Sequence, residues 1–79
     1  MVVVHRAHGF RFVIYSSDHQ PAHVQVIGAG EAKIGLLGPE RRPNVVWSVG
    51  MSCADVKRAL AEVADRRLKL LAKWRRIHG

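Results

Sequence analysis

The sequence predicts an α+β domain, in which a small antiparallel sheet of three to four strands packs against one long C-terminal helix. Two observations predict this class. Short segments of alternating apolar side chains occupy residues 2–49, and one apolar stripe with helical spacing occupies about residues 53–77. No helical segment separates the strands, so parallel strand–helix–strand units are not expected. A chain of 79 residues is expected to form a single domain, residues 1–79.

The strands are predicted from β-branched and aromatic residues that alternate with polar ones. Residues 2–4 are read either as a short first strand or as an ordered arm. The firmer segments are residues 10–15, 22–27, 31–37 and 44–49. In residues 22–27, the alternation places Val24 and Val26 in the core and His23 on the opposite face.

The helix begins with the Ser-x-x-Asp spacing of an N-terminal cap, formed by Ser52 and Asp55. Its apolar stripe consists of Val56, Leu60, Val63, Leu70, Leu71, Trp74 and Ile77. Arg67 projects into the middle of this stripe. A buried guanidinium needs an acid or a strand-end carbonyl as its partner, unless its stem packs and its head reaches solvent.

The charge balance favours a polyanionic partner. Thirteen Lys and Arg residues against six acids give a formal charge of +7, which suits a nucleic acid or an acidic protein. Most of the excess lies in the predicted helix. The candidate nucleic-acid contacts are Arg11, Lys33, Arg58, Arg66, Lys69, Lys73 and Arg76.

Cysteine usage and hydropathy predict the compartment. Cys53 is the one cysteine, so no internal disulfide is expected, and a reducing cytoplasm fits. No apolar run approaches the roughly 18 residues of a membrane span, and the apolar start at residues 1–4 is too short for a signal-peptide core. We therefore expect a cytoplasmic protein without a membrane partner.

Titratable side chains concentrate in the segment Tyr15–Val24, where Asp18, His19 and His23 surround Pro21. One hypothesis for them is catalysis. Cleavage of RNA at its own 2′-hydroxyl needs a base and an acid, and a histidine pair can supply both near neutral pH. In such a metal-independent ribonuclease, Asp18 would orient one imidazole, and Arg67, Arg11 or Lys33 would stabilise the phosphorane charge.

Two other hypotheses stay open for the same side chains. Two histidines and a carboxylate suit zinc or iron, but no third histidine is close in sequence, so we predict no metal and no other cofactor. In the structural alternative, Asp18 caps the turn, His19 bonds a backbone carbonyl and His23 packs on Tyr15.

The segments Gly9-Phe10, Tyr15-Ser-Ser-Asp-His-Gln-Pro-Ala-His-Val24 and Glu31-Ala32 resemble the bacterial family catalogued as domain of unknown function 4160. The pattern Arg67…Leu70-Leu71…Trp74 agrees with the same family, so the resemblance covers nearly the whole chain. It implies a small protein encoded beside another small gene, in an arrangement similar to toxin–antitoxin operons. A protein partner from that neighbouring gene, and RNA as a target, are therefore expected.

The chain departs from the family pattern at three positions. Ala22 stands where the family often has a second proline, Gln25 where it often has a histidine, and Arg66 where a histidine is common. Two missing histidines weaken a metal site or histidine-pair catalysis carried over from the family, whereas the added basic residues favour anion binding.

The function predicted from the sequence is that of a small basic component of a toxin–antitoxin-like pair, which binds or cleaves RNA. The alternative is a non-catalytic interaction module whose basic helix docks an acidic partner protein. A second copy of the chain is a further candidate partner, because so small a domain buries little surface alone.

Overall fold

The computed structural model describes residues 1–79 and contains five antiparallel strands followed by two α-helices. The strands are β1 Val2–Ala7, β2 Phe10–Ile14, β3 His23–Ile27, β4 Glu31–Gly35 and β5 Asn44–Val49, and the helices are α1 Cys53–Asp65 and α2 Arg67–His78. Each strand pairs with the next along the chain, in the order β1-β2-β3-β4-β5. The α+β class is confirmed, but the prediction of three to four strands and one helix is wrong.

The additional strand comes from the N-terminal residues. β1 continues past Val4 to Ala7 because a two-residue turn at His8 and Gly9 folds it back onto β2. Both turn residues have positive φ, 54° and 77°, as a type I′ hairpin requires. His5 lies opposite Phe12 in this pairing, and their ring centroids are 5.3 Å apart.

The predicted single helix is interrupted at Arg66, whose φ of −118° and ψ of 17° are not helical. A straight helix from Cys53 to His78 would be about 39 Å long at 1.5 Å per residue, whereas the molecule is 33 Å across its longest axis. The interruption lets both halves turn apolar residues toward the sheet. The predicted Ser52 cap is present, since its hydroxyl accepts from the Asp55 amide at 3.1 Å. Neither helix is long and apolar enough to cross a membrane.

The hydrophobic core lies between the helices and one face of the sheet. Its centre is formed by Phe12, Ile14, Val24, Val26, Ile34, Leu36, Val63, Leu70 and Trp74. The opposite face, called here the open face, has no helix on it. Trp47 lies there, opposite Lys33, and is 38% exposed, whereas Trp74 is 1% exposed and lies in the core.

Two leucines of α2 test this orientation. Leu70 is 2% exposed in the core, whereas Leu68 is 71% exposed. We expect Leu70→Ala to lower the free energy of unfolding by about 2–5 kcal/mol, because it leaves a cavity. The control Leu68→Ala should change it by less than about 0.5 kcal/mol. Chemical denaturation would measure both, and equal losses would contradict the position of α2.

Candidate functional site

Asp18 closes the turn between β2 and β3. Its amide donates to the Tyr15 carbonyl at 3.0 Å, and its carboxylate accepts from the Tyr15 amide at 3.2 Å. This reciprocal pair is typical of an aspartate that stabilises a turn. The Gln20–Pro21 peptide bond that follows is cis.

His23 connects this turn to α2. Its Nδ1 donates to the Pro21 carbonyl at 2.9 Å, and its Nε2 lies 3.2 Å from the Asp18 carboxylate. The ring packs on Trp74, with centroids 4.9 Å apart, and the residue is 3% exposed. The alternation along β3 predicted that His23 would face away from the core, but at the end of the strand its ring turns toward α2.

Both nitrogens of His23 are therefore engaged within the protein. The Nδ1 contact is a hydrogen bond to a backbone carbonyl, and the Nε2 contact places the ring beside the Asp18 carboxylate. Because the residue is 3% exposed, little of the ring faces solvent or a substrate. The arrangement agrees with the structural hypothesis for Asp18, although His23 packs on Trp74 and not on Tyr15.

The other two candidate catalytic residues lie apart from this pair. His19 is exposed and its side chain makes no hydrogen bond within the protein. The Arg67 guanidinium donates to the Leu36 carbonyl at 3.4 Å, so it reaches a strand-end carbonyl, one of the partners that the sequence suggested. Leu36 in turn donates to Ala22 beside His23, but Arg67 itself does not contact the turn.

No group of three or more His, Cys, Asp or Glu side chains is arranged to hold a metal ion. Asp18 and His23 form a pair without a third such side chain.

The interruption at Arg66 separates the C-terminal charges into two groups. α1 has two basic and three acidic residues, whereas α2 has five basic residues and no acidic one. Arg58 and Arg66 pair with acids of α1 at 3.0 Å, the first with Asp55 and the second with Glu62. α2 therefore carries five basic side chains and no acid in the same helix.

Three of the cations on α2 face solvent. Lys69 and Arg76 are exposed, and so is Arg75, which we did not include among the sequence candidates. Lys73 is also exposed, but its ammonium donates to the Val4 carbonyl at 2.9 Å, so it is tied to the sheet. Exposed cations without protein partners are the ones available to an anionic ligand.

Arg11 and Lys33 do not belong to this surface. Each lies between core residues of its strand, so alternation directs it to the open face. Arg11 pairs there with Arg6 of β1. One continuous footprint cannot include both these residues and the cations of α2.

Sequence reasoning missed a charged cluster around Glu62. His5 donates to its carboxylate at 2.7 Å, Arg66 donates at 3.0 Å, and His8 lies 3.5 Å away. Hydrogen bonds from His5, then from Arg66, lower the pKa of Glu62 below its ordinary value. Only the i, i+4 spacing of Glu62 and Arg66 could have signalled part of the cluster from the sequence.

A family model with the description "Domain of unknown function (DUF4160)" matches residues 9–75, which include the turn and most of α2. No curated protein and no solved structure matches the chain. The resemblance predicted from the sequence is thereby confirmed.

The role of His23 can be tested against its neighbour His19. We expect His23→Ala to lower the free energy of unfolding by about 2–4 kcal/mol, because it removes a buried ring, its hydrogen bond to Pro21 and its contact with Asp18. The exposed control, His19→Ala, should change it by less than about 0.5 kcal/mol. Urea denaturation distinguishes them, and a fully stable His23→Ala variant would show that the ring is not structural.

Glu62 predicts a dependence of stability on pH. Because its pKa is lower in the folded chain than in the unfolded one, it stabilises the fold above the unfolded value of about 4.3. This contribution is lost as the pH falls through the folded pKa. The stability difference between wild type and Glu62→Gln should therefore be largest above about pH 5 and shrink toward pH 3.

Denaturation at a series of pH values would measure this difference. Asp65→Asn makes the same change of charge at an exposed carboxylate of α1 outside the cluster. This control should follow the wild-type curve. A constant difference between wild type and Glu62→Gln over the whole range would contradict the role of Glu62.

Proposed function

The chain belongs to the family described as "Domain of unknown function (DUF4160)", and because that description assigns no activity, we propose a function from the surface itself. We propose that the chain is an RNA-binding component of a toxin–antitoxin-like pair, which contacts phosphates through α2 and does not cleave them. The observation that carries the proposal is the segregation of charge, with five basic residues and no acid in α2.

Binding through α2 is supported by the position of its cations. Lys69 and Arg76 are spaced i and i+7, so they lie on one stripe of the helix. Arg75 is also exposed, on an adjacent part of the helix surface. A polyanion such as RNA gains affinity from such a row by releasing counterions.

The state of the histidines favours binding over cleavage. General acid–base cleavage needs two groups that can exchange protons with the substrate. His23 is 3% exposed, its Nδ1 is hydrogen-bonded to the Pro21 carbonyl, and its Nε2 lies beside the Asp18 carboxylate. His19 is exposed, so the two histidines are not presented to a substrate in the same way.

The available contacts favour phosphate over base recognition. The two helices contain one tryptophan and no tyrosine or phenylalanine. That residue, Trp74, is 1% exposed. α2 therefore presents no tryptophan, tyrosine or phenylalanine ring for the base stacking that sequence-tolerant single-strand binding sites use. We expect binding that tolerates most sequences and weakens steeply with salt.

A specific observation favours a second candidate function, the docking of an acidic protein on α2. Leu68 is 71% exposed on this helix, and the exposed Ala72 lies one turn further along. Apolar side chains beside cations suit a protein surface better than a phosphate backbone. Leu68→Ser should weaken protein docking and leave RNA binding unchanged, which separates the two candidates.

Charge reversal of Lys69 and Arg76 tests the proposal. These side chains have no hydrogen bond within the protein, so Lys69→Glu/Arg76→Glu should fold normally. We expect at least tenfold weaker binding of a single-stranded 20-nucleotide RNA at about 50 mM salt. The slope of log K against log salt should fall by about 1.4, because two phosphate contacts are lost. Fluorescence anisotropy over a salt series would measure both quantities.

The matched control is Arg41→Glu/Arg42→Glu, which makes the same change of charge on an exposed loop. It should retain RNA affinity to within about threefold. Equal loss in both variants, or no RNA binding by the wild type, would overturn binding at α2. Wild-type cleavage of the RNA that is lost in His19→Ala would overturn the non-catalytic assignment.

A further inference from the structure

β5 is an edge strand whose outer side has no partner. It pairs with β4 only, so the amides and carbonyls that point away from β4 remain available. Its exposed apolar residues are Val46 at 51%, Trp47 at 38% and Val49 at 68%. Residues 44–49 contain no charged side chain and no proline, and these are the usual means by which edge strands avoid pairing.

The other edge strand, β1, is protected by comparison. Its pairing with β2 is irregular between Val3 and His5, and such bulges disrupt further strand addition. The Lys73 ammonium occupies the carbonyl of Val4, the extra residue. His5 is held by Glu62, and the exposed Arg6 adds a charge. β5 also has a pairing irregularity with β4, but no side chain of the protein occupies its outer groups.

The open face beside β5 has room for apolar side chains. A hollow of about 560 Å³ lies at the end of the β3–β4 hairpin, where Ile27, Trp47 and Val49 contribute to its lining. A smaller hollow of about 150 Å³ lies nearer the other end, lined in part by Leu37 and Val46. Side chains of an added strand that point to this face would lie next to Trp47 and Val49.

We propose that β5 docks an extended apolar segment of a partner protein, which adds a sixth strand to the sheet and carries acidic residues at one end. Main-chain hydrogen bonds supply affinity in this mode, and alternate side chains supply specificity. The acidic end is assigned to the start of β5, because Arg41 and Arg42 are exposed two to three residues before Asn44. Lys33 adds a further positive charge beside Trp47.

Charge favours such a partner over a second copy of the chain. Each copy carries a formal charge of +7, so association of two copies is opposed by their net charge. Residues 44–49 contain no acid that could meet Arg41 and Arg42 of another copy. A partner segment with an acidic end satisfies the apolar strip and the arginines together.

The experiment selects from a random twelve-residue peptide library displayed on phage, with the full chain as bait. We expect enriched peptides to contain β-branched or aromatic residues in alternation and Asp or Glu near one end. Synthetic versions should bind wild type at least tenfold more tightly than Val49→Lys, which places a charge on the exposed edge. The matched control is Val2→Lys, which places the same charge on an exposed residue of the other edge strand, β1. Its affinity for the peptides should be within about twofold of the wild-type affinity.

A second pair of variants separates this proposal from RNA binding by α2. Arg41→Glu/Arg42→Glu should weaken peptide binding at least tenfold and spare RNA, and Lys69→Glu/Arg76→Glu should do the reverse. Failure to enrich any peptide, or enriched peptides without acids, would overturn the proposal. So would a dimer in sedimentation equilibrium that Val49→Lys dissociates, since a second copy would then occupy β5.

Discussion

The carboxylate of Glu62 joins three parts of the chain, and the arrangement of the helices depends on it. It lies on α1, accepts from His5 of β1, and accepts from Arg66 at the interruption between the helices. Arg66 also donates its amide to the Glu62 and Val63 carbonyls at 3.2 Å. Glu62 thus holds β1 against α1 and stabilises the chain at Arg66, where α2 begins.

This interruption has a consequence for charge as well as for packing. The interruption lets the sheet cover Val63 of α1 as well as Leu70 and Trp74 of α2. It also separates α1, which has three acids, from α2, which has none. Asp55 of α1 pairs with Arg58, and Glu62 of α1 pairs with Arg66 at the interruption. The basic side chains of α2 have no acid in their own helix, because Asp65 lies before the interruption.

Local patterns in the sequence were sufficient for much of the fold. Alternation located β2 to β5, and the spacing of Ser52 and Asp55 located the start of α1. The misses involve long-range contacts. The length of β1 depends on a hairpin turn at His8, a residue that is not a usual turn former. The helix interruption depends on the size of the sheet that the helices cover. We predicted that His23 faces away from the core, because the residue it packs on, Trp74, lies far away in sequence.

For the candidate site, the sequence identified Asp18 and His23 as neighbours. Their burial decides what the pair can do, and burial depends on the tertiary fold.

The contact between Lys73 and Val4 makes the two edges of the sheet different. At one edge, a side chain from the last helix already occupies a main-chain carbonyl, whereas the other edge ends in free peptide groups. A sheet with two open edges can stack copy upon copy into a filament, because each added chain presents a new edge. Because the Lys73 contact and the bulge disfavour strand addition at β1, we expect addition at β5 to give a complex of limited size and not a filament.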